Sequence, residues 1–517
     1  MTFRGRSFHL VFLLFIVISI IESVAAAPVR YDDHLVVRAT IRDEHDLTFL
    51  QRISPDMWSH RVEVGGVADF RVPPDQRAAL DASGVPHAIL IDNLQALIDA
   101  ERPVGTEDAW RPGMLDGSFF DQYRRYPEVL AFLDDLATLR PDLASVVEVG
   151  ESLEGRMVKA IRITGPNQTA ARPGVLLNGC QHAREWITVM ANCYIADRFV
   201  REYDIDPQIQ AILDTHELYI IPVVNPDGYE FSWDRDRMWR KNRRGGYGVD
   251  TNRNWSVGWG GPGAGTQTQM QTYRGEYAFS EPETANIRDF VSDRPNLVAH
   301  VDIHCYSQLV LYPWGWTRDH CADHDIFDAV SGDIAGAMRD VEGRPFRYGP
   351  VFTTIYPASG VMSDWTYGDR NMFGITFELR DTGQFGFVLP PEQIIPGSEE
   401  ALAGALALFE ADYDFGMVFD TTPLVRGEAG EFRAGRAIAG AEVYFVYSFA
   451  GAGETPVPSL GVTLGIMTPR VAGSSVADAD GVATLPVSVP PGGPIRVVWL
   501  QAAHLNRISQ VRVEQIN

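Results

Sequence analysis

The stretch GVLLNGCQHAREWIT, residues 174–188, decides the fold. It begins as a short apolar run typical of a buried strand and continues into the amphipathic pattern of a long helix. The same alternation recurs in YPEVLAFLDDLATL (126–139) and ELYIIPVVNP (217–226). Alternating strands and helices predict an α/β domain over residues 118–412, with a central mixed sheet flanked by helices. In such sheets functional sites collect at the carboxyl ends of strands, and QHAREW directly follows one.

The length and charge of the chain bound its class. A chain of 517 residues suggests about three domains at roughly 150 residues each. Hydrophobic residues make up 45% and charged residues 22%, as in soluble globular proteins. The net charge of −24 disfavours a general nucleic-acid binder, because neutralising phosphates requires an excess of Lys and Arg.

The N-terminus has the pattern of a secretory signal peptide over residues 1–27. Arg4 and Arg6 precede the apolar run HLVFLLFIVISII, and the small residues SVAAA precede Pro28. An uncleaved membrane anchor is the alternative, but the run is shorter than the ~20 residues of a spanning helix. We expect cleavage near Ala27 and a secreted, extracellular protein. The four cysteines then form up to two disulfides or remain buried thiols.

Residues 28–101 alternate strand-like and helix-like runs in the order β-α-β-β-α-β, followed by a helical tail. The strand-like runs are HLVVRATI, WSHRVEV, VADFRV and HAILI, and the helix-like runs are EHDLTFLQRIS, PDQRAALDAS and NLQALIDAE. Gly65 and Gly66 indicate a hairpin between two of the strands. This order predicts a ferredoxin-like α+β domain.

The two remaining segments differ in composition. Residues 102–117 (RPVGTEDAWRPGMLDG) are rich in Pro, Gly and charge, which predicts a protease-accessible linker with Arg102 and Arg111 as candidate cleavage points. Residues 413–517 contain short strands separated by turns, which predicts an all-β sandwich domain. We find no catalytic constellation in that last domain.

Three residues have the chemistry of a zinc hydrolase site, which needs about three His or carboxylate ligands and an open position. His182 and Glu185 are three apart, so in a helical turn they share one face, although such a pair is usually a solvated helix surface. His304, in the apolar strand VDIHCYSQLVLYP, is either a third ligand or a hydrogen-bonded core histidine.

Further polar groups lie in strand and loop motifs. In GITFELRDTG, alternation directs Glu378 and Thr376 away from the face of Phe377 and Leu379, so Glu378 is either structurally paired or a proton acceptor near a metal. The basic run RDRMWRKNRR and the following VDTNRNW form either a solvated loop or groups that bind a carboxylate and an oxyanion.

Residues 118–412 resemble the zinc carboxypeptidases of the carboxypeptidase A/B type. The family's motifs occur in order as HAREWIT, NPDGYEFSW, MWRKNRR, GVDTNRNW, IHCYSQLVLYPWGW, TTIYPASG and TFELRDTGQFGF. The resemblance implies a zinc carboxypeptidase fold, one Zn²⁺ per catalytic domain and cleavage of single residues from peptide or protein C-termini. It also implies that residues 28–101 are an activation propeptide that inhibits the enzyme intramolecularly until an activating protease cuts the linker. A domain that only assists folding is the alternative.

The resemblance assigns a role to each matching position. It implies that the zinc ligands are His182, Glu185 and His304, the catalytic residues are Glu378 as general base and Arg240 as oxyanion stabiliser, and the substrate-binding residues are Arg184, Asn252, Arg253, Tyr306, Tyr356 and Ser363. Tyr356 lies in a Pro- and Gly-containing loop, which is compatible with a mobile cap.

The family's specificity position falls on Ser363, which is neither the acid of basic-specific members nor the large aliphatic residue of A-type members. Gly315, Ala358, Val361 and Thr376 are expected nearby. An apolar or aromatic C-terminal residue is therefore favoured, because burying a cation without a partner is costly. The neighbouring Asp364 leaves a basic preference open.

Other functions fit some of these features. A relative that acts on cell-wall peptides would share the metal site but not Asn252, Arg253 and Tyr356. A non-catalytic binding protein would be expected to have lost a ligand or Glu378. The C-terminal β domain could bind a surface or matrix ligand. Many relatives carry a disulfide near Gly246 and Met270, where this chain has no cysteine, so we expect that loop to be held by other contacts.

Overall fold

A computed structural model describes residues 27–101 except 55 and 60–63, residues 111–411 except 115–116, 167–171 and 295, and residues 417–516 except 439, 479–480, 493–495, 505–506 and 510. The predicted signal peptide (1–27) therefore lies outside the described residues except for Ala27, and Arg102 of the predicted linker also lies outside them. Within the described part, no helix combines the length and apolarity needed to cross a membrane.

The first unit is a four-stranded antiparallel sheet with helices. Its elements are β1 (Leu35–Thr40), α1 (Glu44–Ile53), β2 (Asp56–Met57), β3 (Val67–Val72), α2 (Arg77–Ser83), β4 (His87–Ile91) and α3 (Leu94–Glu101). The strand order β2-β3-β1-β4 and the antiparallel pairing are those of a ferredoxin-like fold, which confirms the prediction.

One predicted strand of this unit is placed differently. WSHRVEV (58–64) was expected to be extended, but the described strand is the preceding Asp56–Met57, and residues 60–63 are outside the described part. Asp56 and Trp58 are both buried. The strand expected over residues 60–63 therefore stays a prediction.

The second unit contains a mixed sheet of eight strands. Its elements are α4 (Tyr126–Leu139), β5 (Ala144–Glu151), β6 (Met157–Thr164), β7 (Gly174–Gly179), α5 (Trp186–Glu202), α6 (Pro207–Thr215), β8 (Glu217–Ile221), α7 (Pro226–Asp234), α8 (Pro282–Ser292), β9 (Leu297–Cys305), β10 (Leu309–Tyr312), α9 (His324–Glu342), β11 (Arg347–Pro350), α10 (Val351–Thr354), α11 (Met362–Gly368), β12 (Phe373–Leu379) and α12 (Ile394–Glu410). The strand order is β11-β10-β12-β9-β7-β8-β6-β5.

The centre of this sheet is parallel and buried on both faces. Strands β12, β9, β7 and β8 run parallel, and every residue of β7 and β12 is buried. Helices α4, α5, α9 and α12 pack on one face, while α8 and α11 pack on the other. The carboxyl ends of β7, β9 and β12 therefore meet at one edge of the sheet.

The third unit consists of short strands in facing sheets. Its elements are β13 (Val418–Thr421), β14 (Ala429–Gly435), β15 (Glu442–Ser448), β16 (Ala452–Val457), β17 (Val462–Ile466), β18 (Arg470–Val476), β19 (Ala483–Ser488), β20 (Arg496–His504), β21 (Arg507–Ile508) and β22 (Arg512–Ile516). Phe419 and Phe432 from one sheet meet Phe445 from the other in a shared core. The predicted all-β sandwich is confirmed, whereas the domain boundaries at 101, 118 and 413 remain predictions.

The cysteines resolve one alternative left open by the sequence. Cys180, Cys193, Cys305 and Cys321 are all free and buried. Burial raises the pKa of the Cys193 thiol. A buried, protonated thiol behaves as a small hydrophobic side chain, which matches the packing of these residues in the core.

Candidate active site

Two histidines and a glutamate converge where β7 and β9 end. His182 Nδ1 lies 2.8 Å from Glu185 Oε1, and His304 Nδ1 lies 2.9 Å from Glu185 Oε2. The two Nδ1 atoms are 3.1 Å apart, and donor atoms of all three residues lie within 4.8 Å of one another. All three side chains are buried. These three residues, called the metal group below, could hold one metal ion.

The local conformation of the first two residues differs from the expected helical turn. His182 and Glu185 lie in a turn after β7, closed by a hydrogen bond from the Glu185 N–H to the His182 carbonyl. Helix α5 begins only at Trp186, with Glu185 as its N-cap residue. The turn brings the two side chains together without helical geometry.

The hydrogen bonds behind the imidazoles fit a zinc ion. His182 Nε2 lies 3.1 Å from Asp250 Oδ1, and His304 Nε2 lies 2.8 Å from Asp302 Oδ2. An ionised carboxylate can only accept hydrogen bonds. It therefore favours the imidazole tautomer that carries its proton on Nε2, which leaves the Nδ1 lone pair for a metal. Two Nδ1 lone pairs and a carboxylate at a common point are the donor set that a catalytic zinc site uses.

The electrostatics of Asp250 support the ionised form needed for this role. Burial opposes ionisation of Asp250, but the Arg240 guanidinium, whose Nη2 lies 2.8 Å from Asp250 Oδ2, and the nearby His182 hold the pKa of that carboxyl well below its usual range. Asp250 thus connects the metal-ligating group to a buried arginine.

Strand pairing places Glu378 beside His304. In the parallel register of β12 and β9, Glu378 pairs with His304 and Thr376 pairs with Asp302. Side chains of paired residues project to the same face, so Glu378 and Thr376 face the metal group, while Phe377 enters the hydrophobic core on the opposite face. The predicted orientation of Glu378 agrees with this geometry.

One pocket contains most of the remaining predicted residues. Its lining residues are His182, Arg240, Asn252, Arg253, His304, Leu311, Val351, Ile355, Tyr356, Ala358, Val361, Ser363, Thr376 and Glu378. The Arg253 guanidinium donates to the Tyr356 hydroxyl at 2.7 Å, to the Asn252 carbonyl at 2.6 Å and to the Gly263 carbonyl at 3.4 Å. These three acceptors are neutral.

Asp364 lies beside this pocket. Both of its carboxyl oxygens accept the Gly315 N–H, at 3.0 and 2.9 Å, and burial raises the pKa of Asp364 to about 8. Thr376 Oγ1 lies 3.4 Å from Ser363 Oγ, and both hydroxyls face the pocket. The apolar part of the pocket lining consists of Leu311, Val351, Ile355, Ala358 and Val361.

Two other predicted residues contact the first unit instead of this pocket. Arg184 Nη1 lies 3.1 Å from Asp56 Oδ2, and the Tyr306 hydroxyl donates to Asp69 Oδ2 at 3.2 Å. Trp58 packs edge-on against Phe387. The first unit thus covers the cleft next to the metal group.

A buried ion pair fixes the end of this unit. Glu101, the last residue of α3, accepts two hydrogen bonds of 2.6 Å from Arg237. Arg237 also donates to the Arg184 and Phe387 carbonyls. The helical tail is therefore anchored to the same wall of the cleft that Asp56 contacts.

The loop without a disulfide is held by an ammonium group. Lys241 Nζ donates to the Thr268 carbonyl at 2.7 Å and to the Met270 carbonyl at 3.0 Å. Met270 and Gly263 line the cleft between the first and second units. Hydrogen bonds from Lys241 thus fasten a loop of the cleft wall.

Sequence reasoning missed four of these contributors: Asp56, Asp69, Asp250 and Asp302. The signals were present for two of them, because Asp250 precedes the TNRNW motif and Asp302 is two residues before His304 on one strand face. Asp56 and Asp69 carry no local signal of their contacts with Arg184 and Tyr306.

The comparisons with known proteins agree with this geometry. The zinc carboxypeptidase family model matches residues 129–404, and the carboxypeptidase activation peptide model matches residues 37–101. Carboxypeptidase A1 of Sus scrofa is 37% identical over 393 residues, which cover 73% of this chain and 93% of that protein. The chain belongs to the zinc carboxypeptidase family. This confirms the predicted family and fold, the metallocarboxypeptidase class and zinc as the metal.

Further relatives extend the similarity to other organisms. A metallocarboxypeptidase A-like protein of Trichophyton verrucosum is 34% identical, and the match covers 74% of this chain and 93% of that protein. The crystal structure of carboxypeptidase A from Helicoverpa armigera is 29% identical with a TM-score of 0.65, covering 74% of this chain and 99% of that chain. The activation peptide match supports an intramolecular inhibitor and peptide substrates.

We expect the metal group to account for the zinc content of this carboxypeptidase. The wild-type chain should retain about one zinc ion after dialysis. Loss of a residue that only hydrogen-bonds a ligand typically lowers zinc affinity roughly 10–100-fold, so loss of a ligand in His304→Ala or Glu185→Ala should lower the affinity by more than that. Metal analysis and chelator competition measure this. His320→Ala, at an exposed histidine of the same chain, should retain zinc. Retention of zinc by His304→Ala would contradict the ligand set.

Proposed function

We propose that this enzyme is secreted and removes single residues from peptide C-termini, with His182, Glu185 and His304 as its zinc ligands. The observation that carries the proposal is the presence of Arg253 in the same pocket as the metal group. Arg253 is 2% exposed, and its described hydrogen-bond acceptors are neutral. A buried guanidinium is best matched by a carboxylate, and the free C-terminus of a peptide supplies one.

The remaining pocket residues suit the chemistry of hydrolysis. Zinc, when bound, lowers the pKa of its water and polarises a carbonyl. Glu378 accepts a proton from the attacking water and then donates it to the departing amine. Arg240 offers its guanidinium to the developing oxyanion. Asn252, Arg253 and Tyr356 hold the terminal carboxylate and so position the last peptide bond for attack.

The general-base role predicts a specific defect for Glu378→Gln. Removing the proton acceptor without changing the shape of the side chain should lower kcat by about 10²–10⁴-fold while zinc binding persists. Steady-state kinetics and metal analysis on the same preparation measure both quantities. Glu392→Gln, at an exposed position, serves as the matched control. A Glu378→Gln enzyme with wild-type kcat would assign proton transfer to another group.

The pocket favours apolar or aromatic C-terminal residues. Leu311, Val351, Ile355, Ala358 and Val361 supply its apolar wall. Asp364 lies beside the pocket, but burial raises its pKa to about 8, so the carboxyl is mostly protonated at neutral pH. A Lys or Arg side chain would enter without a free anionic partner, which is costly.

A panel of blocked dipeptides tests the activity and the preference together. Release of C-terminal Phe or Leu should be faster than release of Lys or Arg by at least about tenfold in kcat/KM, and a chelator should abolish both. Ser363→Asp should shift the ratio toward Lys, whereas Ser292→Asp, at an exposed position, should not. Faster release of Lys or Arg by the wild type would overturn the apolar preference.

Residues 28–101 would act as the inhibitory propeptide until a protease cuts within residues 102–117. Asp56 and Asp69 occupy Arg184 and Tyr306, which we propose line the cleft for the substrate chain. The signal-like sequence at residues 1–27 supports secretion. The C-terminal β domain, which lies outside both family matches, is proposed to bind a surface or matrix ligand.

Limited trypsin treatment should activate the full-length chain. Activity on a peptide substrate should rise several-fold as the linker is cut, and N-terminal sequencing should place the new terminus after Arg102 or Arg111. An Arg102→Gln/Arg111→Gln variant should stay inactive under the same treatment, while Arg339→Gln, at an exposed position, should activate normally. A mature enzyme that begins within residues 28–101 would contradict this assignment.

A further inference from the structure

Asp302 is a fully buried carboxylate directly behind one of the proposed zinc ligands. It lies on β9 two residues before His304, so strand alternation directs both side chains to the same face. Its Oδ2 atom is 2.8 Å from His304 Nε2. Asp302 and His304 are 0% and 2% exposed, so water does not compete for this contact.

Three amide groups hold the Asp302 carboxylate in one orientation. Asn178 Nδ2 donates to Oδ1 at 2.7 Å, and Gln181 Nε2 donates to Oδ2 at 2.7 Å. Asn252 Nδ2 lies 3.3 Å from Oδ2 and 3.1 Å from His304 Nε2. Because both oxygens are fixed, the carboxylate plane cannot rotate away from the imidazole. An acceptor-only group held in this way keeps the proton on His304 Nε2 and directs the Nδ1 lone pair at the metal position.

A purely structural role for this carboxylate is the alternative. Asn178 Oδ1 continues the network to His300 Nε2 at 2.6 Å, and His300 Nδ1 lies 3.2 Å from the Thr366 hydroxyl. Neutral groups would satisfy such a network. Burying a carboxylate costs several kcal/mol unless a positive charge compensates it.

The charges around the site identify the compensating group. Asp250, behind His182, has Arg240 as a cationic partner at 2.8 Å. In the described part of the chain, no Lys or Arg nitrogen lies within 4 Å of an Asp302 carboxylate oxygen, and the basic side chain that contacts it is the His304 imidazole. The two positive charges of a zinc ion would then be balanced by Glu185, a direct ligand, and by Asp302 through the imidazole.

We propose that Asp302 is a positioning residue for zinc, which orients His304 through its Nε2–H and supplies the second negative charge that balances the ion. The proposal rests on the proposed ligand set. Each proposed histidine ligand would then donate a hydrogen bond to a buried carboxylate, His182 to Asp250 and His304 to Asp302. Asp250 also pairs with Arg240, whereas the charge of Asp302 would be balanced by the zinc ion. Loss of the Asp302 charge should therefore weaken zinc binding itself.

Zinc affinity of the full chain tests this proposal. Asp302→Asn keeps the shape of the side chain and removes its charge, and it should weaken zinc binding about 10–100-fold in competition with a chelator. Asp325→Asn, at an exposed position of the same domain, should bind zinc like the wild type. Zinc affinity of Asp302→Asn within about twofold of wild type, with the variant folded, overturns the proposal.

A second measurement separates positioning from folding. In the zinc-loaded wild type, NMR should show slowly exchanging ring N–H protons of His182 and His304, which the variants His182→Ala and His304→Ala assign by their loss, and Asp302→Asn should lose protection of the His304 proton. If Asp302→Asn does not fold, Asp302→Ser replaces it, and the wild-type spectrum still decides. A His304 Nε2 that carries no protected proton overturns the proposal. Wild-type zinc binding by His304→Ala would instead refute the ligand set and this proposal with it.

Discussion

The candidate site is built around the close approach of His182 Nδ1 and His304 Nδ1, which lie 3.1 Å apart and which a bound metal ion would hold together. Two lone pairs facing each other in a buried site repel, and burial removes the water that would separate them. The surrounding structure is arranged to keep both lone pairs in place. Asp250 and Asp302 accept hydrogen bonds from the Nε2–H groups, and the Glu185 carboxylate contacts both Nδ1 atoms.

Parallel strand pairing makes this arrangement possible. Strands β7, β9 and β12 end at the same edge of the sheet, and the register aligns Asn178 with Asp302 and His304 with Glu378. Each strand therefore contributes polar side chains to one face near its carboxyl end, while its alternate residues fill the core. The metal group, the acid–base candidate and the network behind them all follow from one register.

The activation domain meets the cleft through the same kinds of charge. Asp56 occupies the Arg184 guanidinium, and Glu101 occupies Arg237, in contacts that are almost completely buried. Removing one partner of a buried ion pair leaves an uncompensated charge, so such an interface is stable only while both sides are present. The cleft wall is thus occupied by carboxylates of the same chain.

The sequence predicted much of this structure because many of its signals are local. The helix at Tyr126–Leu139 and the strands at Val67–Val72 and His87–Ile91 have the predicted bounds, since hydrophobic periodicity is encoded within a few residues. At His182 the structure differs from the expectation, because a turn stands where a helical turn was expected and helix α5 begins only at Trp186. The strand expected at 58–64 stays a prediction over residues 60–63, which lie outside the described part of the chain.

The sequence by itself therefore determined the fold class, the family and the residue types of a zinc site, because motifs and periodicity are properties of short segments. Only the tertiary structure decided which carboxylates stand behind the two histidines and which groups of the first domain reach the cleft. Contacts such as Arg184 with Asp56 and His182 with Asp250 join residues 128 and 68 positions apart. Such contacts depend on how whole helices and strands pack against one another, and short-range sequence patterns do not predict that packing.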